Sequence, residues 1–187
     1  MTEVNDGINQ TSTRKAPSML IARIALVVAA ALLVAAFFLP WASASEEFRE
    51  GAAALPDFMF YEPTGLTAEG ACDISLLEYA QVYNSMEGSV WMVYTVIMYV
   101  CLALSVVTVL LAALGKPIGT AVFTVLTLGV SRLLVWDFED RGVLPNATHD
   151  WGIAPMVYLA AAAVLLALAA WLFVLKRRVK AQRQASQ

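Results

Sequence analysis

Residues 18–39 hold one charge, Arg23, and are otherwise apolar or small; three more such runs follow at 90–114, 118–136 and 153–175. A helix rises ~1.5 Å per residue and the hydrocarbon layer of a bilayer is ~30 Å thick, so about 20 residues cross it. Each run is of that order. None alternates polar with apolar residues as a barrel strand would, so helices are expected. The chain has 187 residues, is 60% apolar and only 14% charged, whereas soluble domains are closer to a quarter charged. The fold class expected is an all-α integral membrane protein, a four-transmembrane-helix antiparallel bundle with a small helical extracytoplasmic cap between helices 1 and 2. In order, the divisions are a cytoplasmic tail at 1–17, spans at 18–40, 90–114, 118–137 and 153–175, an acidic extracytoplasmic region at 41–89, a cytoplasmic turn at 115–117, an outer loop at 138–152 and a cytoplasmic tail at 176–187.

Charge sets the orientation. With the N-terminus inside, Arg14, Lys15, Arg23, Lys116, Lys176, Arg177, Arg178, Lys180 and Arg183 all lie on one side, and only Arg49, Arg132 and Arg141 on or near the other. Lys/Arg bias in short loops places both termini in the cytoplasm of a cell-membrane protein. Thirteen of the 15 acids then fall at or beyond the outer boundary. Trp41, Trp91, Trp136 and Trp151 mark outer helix ends, and Trp171 an inner one, as amphipathic rings prefer. Lys176–Arg178 is expected to meet anionic headgroups.

The first run admits a second reading. Arg14 and Lys15, an apolar stretch, then Ala42-Ser43-Ala44 resembles a secretory signal with cleavage after Ala44, although the run exceeds the ~7–15 residues of a signal core. Ala22, Ala25, Ala29 and Ala36 share one helical face, which favours a retained helix packing on the matching face Ala160, Ala163, Ala167 and Ala170 of the fourth. Arg23, near the inner end, points its side chain toward the headgroups. Within 41–89, Ser43 and Glu46 have capping-box spacing for a short helix to about Leu55, and Asp73 is placed to cap a second one reaching Met86. Phe58-Met59-Phe60-Tyr61, between two prolines, is expected on the bundle top or in the headgroups.

The polar residues inside the spans are the site candidates. Thr120, Thr124, Thr127 and Ser131 fall on one face of the third helix, and Tyr94, Cys101, Ser105 and Thr108 recur at helical spacing on the second. Small hydroxyls suit interhelical packing or bonding to their own backbone; the sharper alternative is a polar path. Arg132 lies about 6–8 Å below the outer end of its helix at 1.5 Å per residue. Its side chain leans inward by default, so a partner is expected at the outer mouth, with Asp137, Glu139 and Glu87 as the candidates and Trp136 placed to stack on it. His149, near four acids, is a weak cation candidate without a recognised ligand spacing.

No catalytic, cofactor or metal residue is assigned. Cys72 and Cys101 lie at different depths and form no C-x-x-C, no histidine lies in a span to hold haem, no Asp or Glu lies within an apolar run to drive a proton-coupled carrier, and no nucleotide-binding or hydrolase motif occurs. The expectation is a non-catalytic accessory, assembly or sensing component that meets the lipid bilayer, not nucleic acid, and offers residues 42–89 to another membrane or envelope protein. The alternative is a small oligomeric transporter or channel using the third-helix stripe and Arg132.

Overall fold

The computed structural model describes residues 15–185. Four long helices dominate: α1 (Lys15–Ala36), α4 (Ser89–Ala113), α5 (Pro117–Asp140) and α6 (Ala154–Ala185). Each contains a stretch long and apolar enough to cross a bilayer, as the runs imply. The first span thus ends three residues before Leu39, and the third runs on past Asp137. The fourth is longer still. Its helix continues through the basic segment expected to be tail, because Lys, Arg, Gln and Ala are all good helix formers. Of the expected N-terminal tail, residues 1–14 lie outside the described residues.

Among the long helices, α1 packs on α4 and α6, and α5 packs on α4 and α6, so each has two neighbours. Ala22, Leu26, Ala30, Leu33, Ala36 and Phe37 of the first run are fully buried in the shared core. The expected partner face of α6 is wrong: Ala160, Ala163, Ala167 and Ala170 are exposed, while Ala161, Ala162, Leu165, Ala169 and Leu172 are buried. A helix apolar all round carries no moment to choose its face, and small residues alone do not choose it either.

Residues between α1 and α4 are not purely helical. β1 (Pro40–Ala44) follows α1 directly, then α2 (Glu46–Ala54), a ribbon of β2 (Met59–Tyr61) and β3 (Leu66–Thr67), β4 (Asp73–Ser75) and α3 (Leu76–Ser85). β5 (His149–Trp151) precedes α6, and the sheet order is β4-β1-β5. β1 is its centre. It pairs antiparallel with β4 through Ala42↔Ile74 and Ser43↔Asp73, and with β5 through Ala42↔Trp151 and Ala44↔His149. The small-x-small stretch that resembles a cleavage site is thus a central strand tying α1 to α6. Gly152, just past β5, is required there: a Cβ would run into the Pro40 carbonyl, and its N–H donates to the Trp41 carbonyl at 2.8 Å.

Two helix starts differ by two residues from the spacing argument. Ser45, not Ser43, caps α2 by accepting from the Phe48 N–H, and Ser75, not Asp73, caps α3 in a full capping box with Glu78. Ser43 and Asp73 are strand residues paired with each other. Trp41 is not a surface belt residue. It is fully buried, with Phe138, Trp151 and Tyr158 edge-on to it at centroid distances of 6.3, 6.4 and 5.9 Å. These rings join the sheet to α5 and α6.

At the opposite end, α4 stops at Gly115, whose φ of +63° suits glycine. The Gly115 N–H bonds the Ala112 carbonyl and the Lys116 N–H bonds the Leu111 carbonyl, both at 2.9 Å. That pattern is a Schellman stop, and Pro117 then opens α5 at the position where a missing N–H costs nothing.

Candidate functional site

The four hydroxyls of the α5 stripe share one buried face. Each donates to its own helix: Thr120 to the Lys116 carbonyl at 3.0 Å, Thr124 to Thr120 at 2.8 Å, Thr127 to Phe123 at 2.8 Å and Ser131 to Leu128 at 2.9 Å. On α4, Ser105 and Thr108 do the same to Cys101 and Leu104, both at 2.8 Å. A hydroxyl turned back on its own turn lets helices approach closely and leaves little to offer a passing solute. Within one chain these residues form a packing seam.

Arg132 is not on that seam. It lies on the exposed side of α5 with Gly129, Leu133 and Trp136. Among the described residues it has no ion pair, hydrogen bond or stacked ring. The expected pairing with Asp137 is therefore corrected, and so is the stack on Trp136. Asp137 and Trp136 point to different sides of the helix, and Asp137 takes another partner.

That partner is Arg141, one helical turn on. Its Nη2 lies 2.5 Å and its Nε 3.0 Å from Asp137 Oδ2, and its Nη1 donates to the Tyr83 hydroxyl at 3.0 Å. The guanidinium also lies 4.1 Å from the Tyr94 ring centroid and 5.4 Å from that of Tyr83. Burial opposes the Arg141 charge, but the Asp137 carboxylate and the Tyr83 hydroxyl outweigh it and hold the group above its ordinary value. The Tyr83 phenol is pushed up by burial, against the pull of Arg141. Tyr83 stacks on Trp91 at 5.5 Å and 11°. Arg141 thus fastens α3 to α4 and α5 through an ion pair and two aromatic faces. The fourth-residue spacing from Asp137 was the signal in the sequence that could have found it.

Two further sheet-end contacts absorb polar groups. Arg49 reaches Asp73 Oδ1 at 2.7 Å, Ser43 Oγ at 2.8 Å and the Ala44 and Cys72 carbonyls, both at 3.2 Å. The Arg49 guanidinium, with a bond from Ser43, holds the Asp73 carboxyl below its usual range. His149 is buried, with Nε2 donating to the Ala71 carbonyl at 2.7 Å and Nδ1 2.9 Å from Thr148 Oγ1. Both ring nitrogens are occupied within the fold. No group of three or more His, Cys, Asp or Glu side chains gathers for a metal among the described residues.

What stays uncovered at this end is acidic and apolar together. Glu46, Glu47, Glu50, Asp57, Glu62, Glu69 and Glu87 are exposed, and Arg49, the one basic residue between α1 and α4, is spent on Asp73. Between these acids stand Leu55, Phe58, Met59 and Phe60, from 44% to 63% exposed. Of the aromatic cluster expected on the bundle top or in the headgroups, Phe58, Met59 and Phe60 are exposed where the β2–β3 ribbon begins, Phe60 with an edge contact to Phe48 at 5.7 Å, while Tyr61 is half-buried and accepts from the Ser85 hydroxyl at 3.1 Å. No protein-family model matches the chain, and comparison with curated proteins and with solved structures finds no significant match.

Proposed function

We propose that this chain is a non-catalytic accessory, assembly or sensing component of a cell membrane. In this reading it threads the bilayer four times as an antiparallel bundle, keeps both termini in the cytoplasm and presents its acidic sheet end to a partner protein outside. The observation that carries the reading is the exposed apolar group Leu55, Phe58, Met59 and Phe60 among carboxylates that have no ion pair among the described residues. Apolar and aromatic side chains grouped on a surface with a polar rim are what protein interfaces use. The acidic rim favours a basic partner surface over anionic headgroups.

Arg132 supports the same reading inside the membrane. A charge on the outward side of an apolar helix is costly there and usually finds a partner. Gly129, one turn below, has open space where a Cβ would stand, so a second helix could come close. A symmetric pairing of two copies on this face would set Arg132 against Arg132. No Asp or Glu lies within an apolar run of this chain to answer it, so a different protein with a carboxylate at that depth fits better.

A photoreactive residue at position 58, tested in native membranes against one at the exposed polar position Gln81, examines the first part. A single defined adduct at 58 and none at 81 is expected, and Phe58→Asp with Met59→Asp should weaken the co-purified complex at least about tenfold. Equal adducts at both positions, or adducts only with a second copy together with solute flux in liposomes, would replace this reading with the transporter. Arg132→Leu should leave the unfolding of the isolated protein within about 0.5 kcal/mol of wild type while weakening the complex. A loss of more than about 2 kcal/mol in the isolated protein would mean that the arginine serves its own fold.

A further inference from the structure

At the end opposite the sheet, two cavities run into one another. One, of about 490 Å³, is lined by Lys116, Lys176, Arg177 and Lys180 with Gly115 and Gly119. The other, of about 250 Å³, lies between α5 and α6 and is lined by Ala121, Val122, Leu166, Ala169 and Ala170. Pro117, Ile118 and Phe173 belong to both. The first brings four cations together with no carboxylate among the described residues of its wall; the described lining of the second is wholly apolar.

Three details make the first an anion site rather than a solvated basic patch. Lys116 stands at the N-cap of α5 and supplies no side-chain cap. Pro117 has no N–H to offer, but the N–H groups of Ile118 and Gly119 lie in the first turn, where the helix itself supplies no acceptor, and the positive end of a 24-residue helix opens on the cavity. Lys176 Nζ donates to the Gly115 carbonyl, which fixes one ammonium at the wall with donors to spare. The Arg177 guanidinium lies 4.7 Å from the Phe173 ring centroid, held over the ring that separates the polar from the apolar half.

We propose that this end binds an anionic phospholipid, with its phosphate among Lys116, Lys176, Arg177 and Lys180 and one acyl chain along the groove between α5 and α6. A small water-soluble anion has no use for the groove. A zwitterionic headgroup would bring its ammonium against four cations. The charge and the continuity with an apolar channel on the outer side of two membrane helices select the anionic lipid. The site needs the helices to lie in a bilayer and does not depend on the partner proposed above, so either can fail alone.

Native mass spectrometry of the full chain in detergent, titrated with phosphatidylglycerol, phosphatidylcholine or inorganic phosphate, tests it. Phosphatidylglycerol should bind at least about tenfold more tightly than phosphatidylcholine, and millimolar phosphate should not displace it. Lys116→Gln, Arg177→Gln and Lys180→Gln combined should remove that preference while phosphatidylcholine binding, the control for folding, stays unchanged. Ala170→Phe, which fills the groove from an exposed position, should weaken phosphatidylglycerol alone. Equal binding of the two lipids, a preference that survives the triple change, or wild-type affinity in Ala170→Phe would overturn the lipid site. Full displacement by phosphate would make it a site for the free anion.

Discussion

The two ends of the helix assembly handle charge in opposite ways. At the sheet end the cations Arg49 and Arg141 each meet a carboxylate of the same chain, Asp73 and Asp137. At the turn end two cations meet backbone carbonyls instead: Arg23 Nη2 donates to Ala113 at 2.8 Å and Lys176 to Gly115. A cation paired with a carboxylate is close to neutral and is spent on the fold. A cation on a helix C-terminal carbonyl steadies the dipole but keeps most of its charge. The sheet end is therefore built to hold the chain together, with surplus negative charge outside, while the turn end keeps positive charge in hand. Arg23 points toward the end expected of it, yet it serves the α4 C-terminus rather than headgroups alone.

If the sheet end holds the fold, the deepest cut should be there. Trp41→Ala removes a fully buried ring that touches Phe138, Trp151 and Tyr158, three elements at once. Loss of such a residue costs ~3–5 kcal/mol, so thermal unfolding in detergent should show a large drop in midpoint or no folded protein. A loss below about 1 kcal/mol would mean that the sheet is an appendage of helices that stand without it.

The paired arginines give a closer contrast. Arg141→Leu strands Asp137, whose side chain is only 21% exposed, and removes the contacts to Tyr83 and Tyr94. About 1–3 kcal/mol is expected, with Arg141→Lys recovering part of it, because an ammonium lacks the planar fork. Arg23→Leu should cost about 0.5–1 kcal/mol, the scale of a single helix-terminus charge. Unfolding of both variants at one pH and salt settles the order, and a reversed order would break the contrast between the ends.

The four long helices were legible because length and composition suffice to find them, and no partner segment is needed. The sheet was not, because β1, β4 and β5 are three to five residues long and come from three distant stretches. No local pattern marks Ala42 as paired to Ile74 and Trp151. The hydroxyl stripe of α5 was read to one face by its spacing, and the structure buries that face. Its use could not be read, since a packing seam and a polar path demand the same residues. The cost of an unpaired charge at that depth predicts a partner for Arg132, and Asp137 is an acid near it in sequence. Five residues along a helix, however, turn Asp137 well away from it. The alanines of α6 misled for a related reason: where lipid and protein are equally apolar, sequence periodicity does not say which side is which.

The smallest effect expected at the sheet end concerns Arg49 and Asp73, both about two-fifths exposed. The Asp73 carboxyl is held below its ordinary range by the Arg49 guanidinium, with a further bond from Ser43. The folded state therefore binds that proton less readily than the unfolded chain. The resulting stability is fully present above the unfolded value of about 4, and it fades as pH falls through the lower folded value. Exposure and salt keep it slight. Unfolding midpoints taken from pH 7 down to 3 should converge between wild type and Asp73→Asn at the acid end, with wild type ahead at neutral pH and the gap narrowing in high salt. A gap that widened on acidification would show that the Arg49 contact does not favour the charged carboxylate. In that case pairing within the chain would not be what separates the sheet end from the turn end.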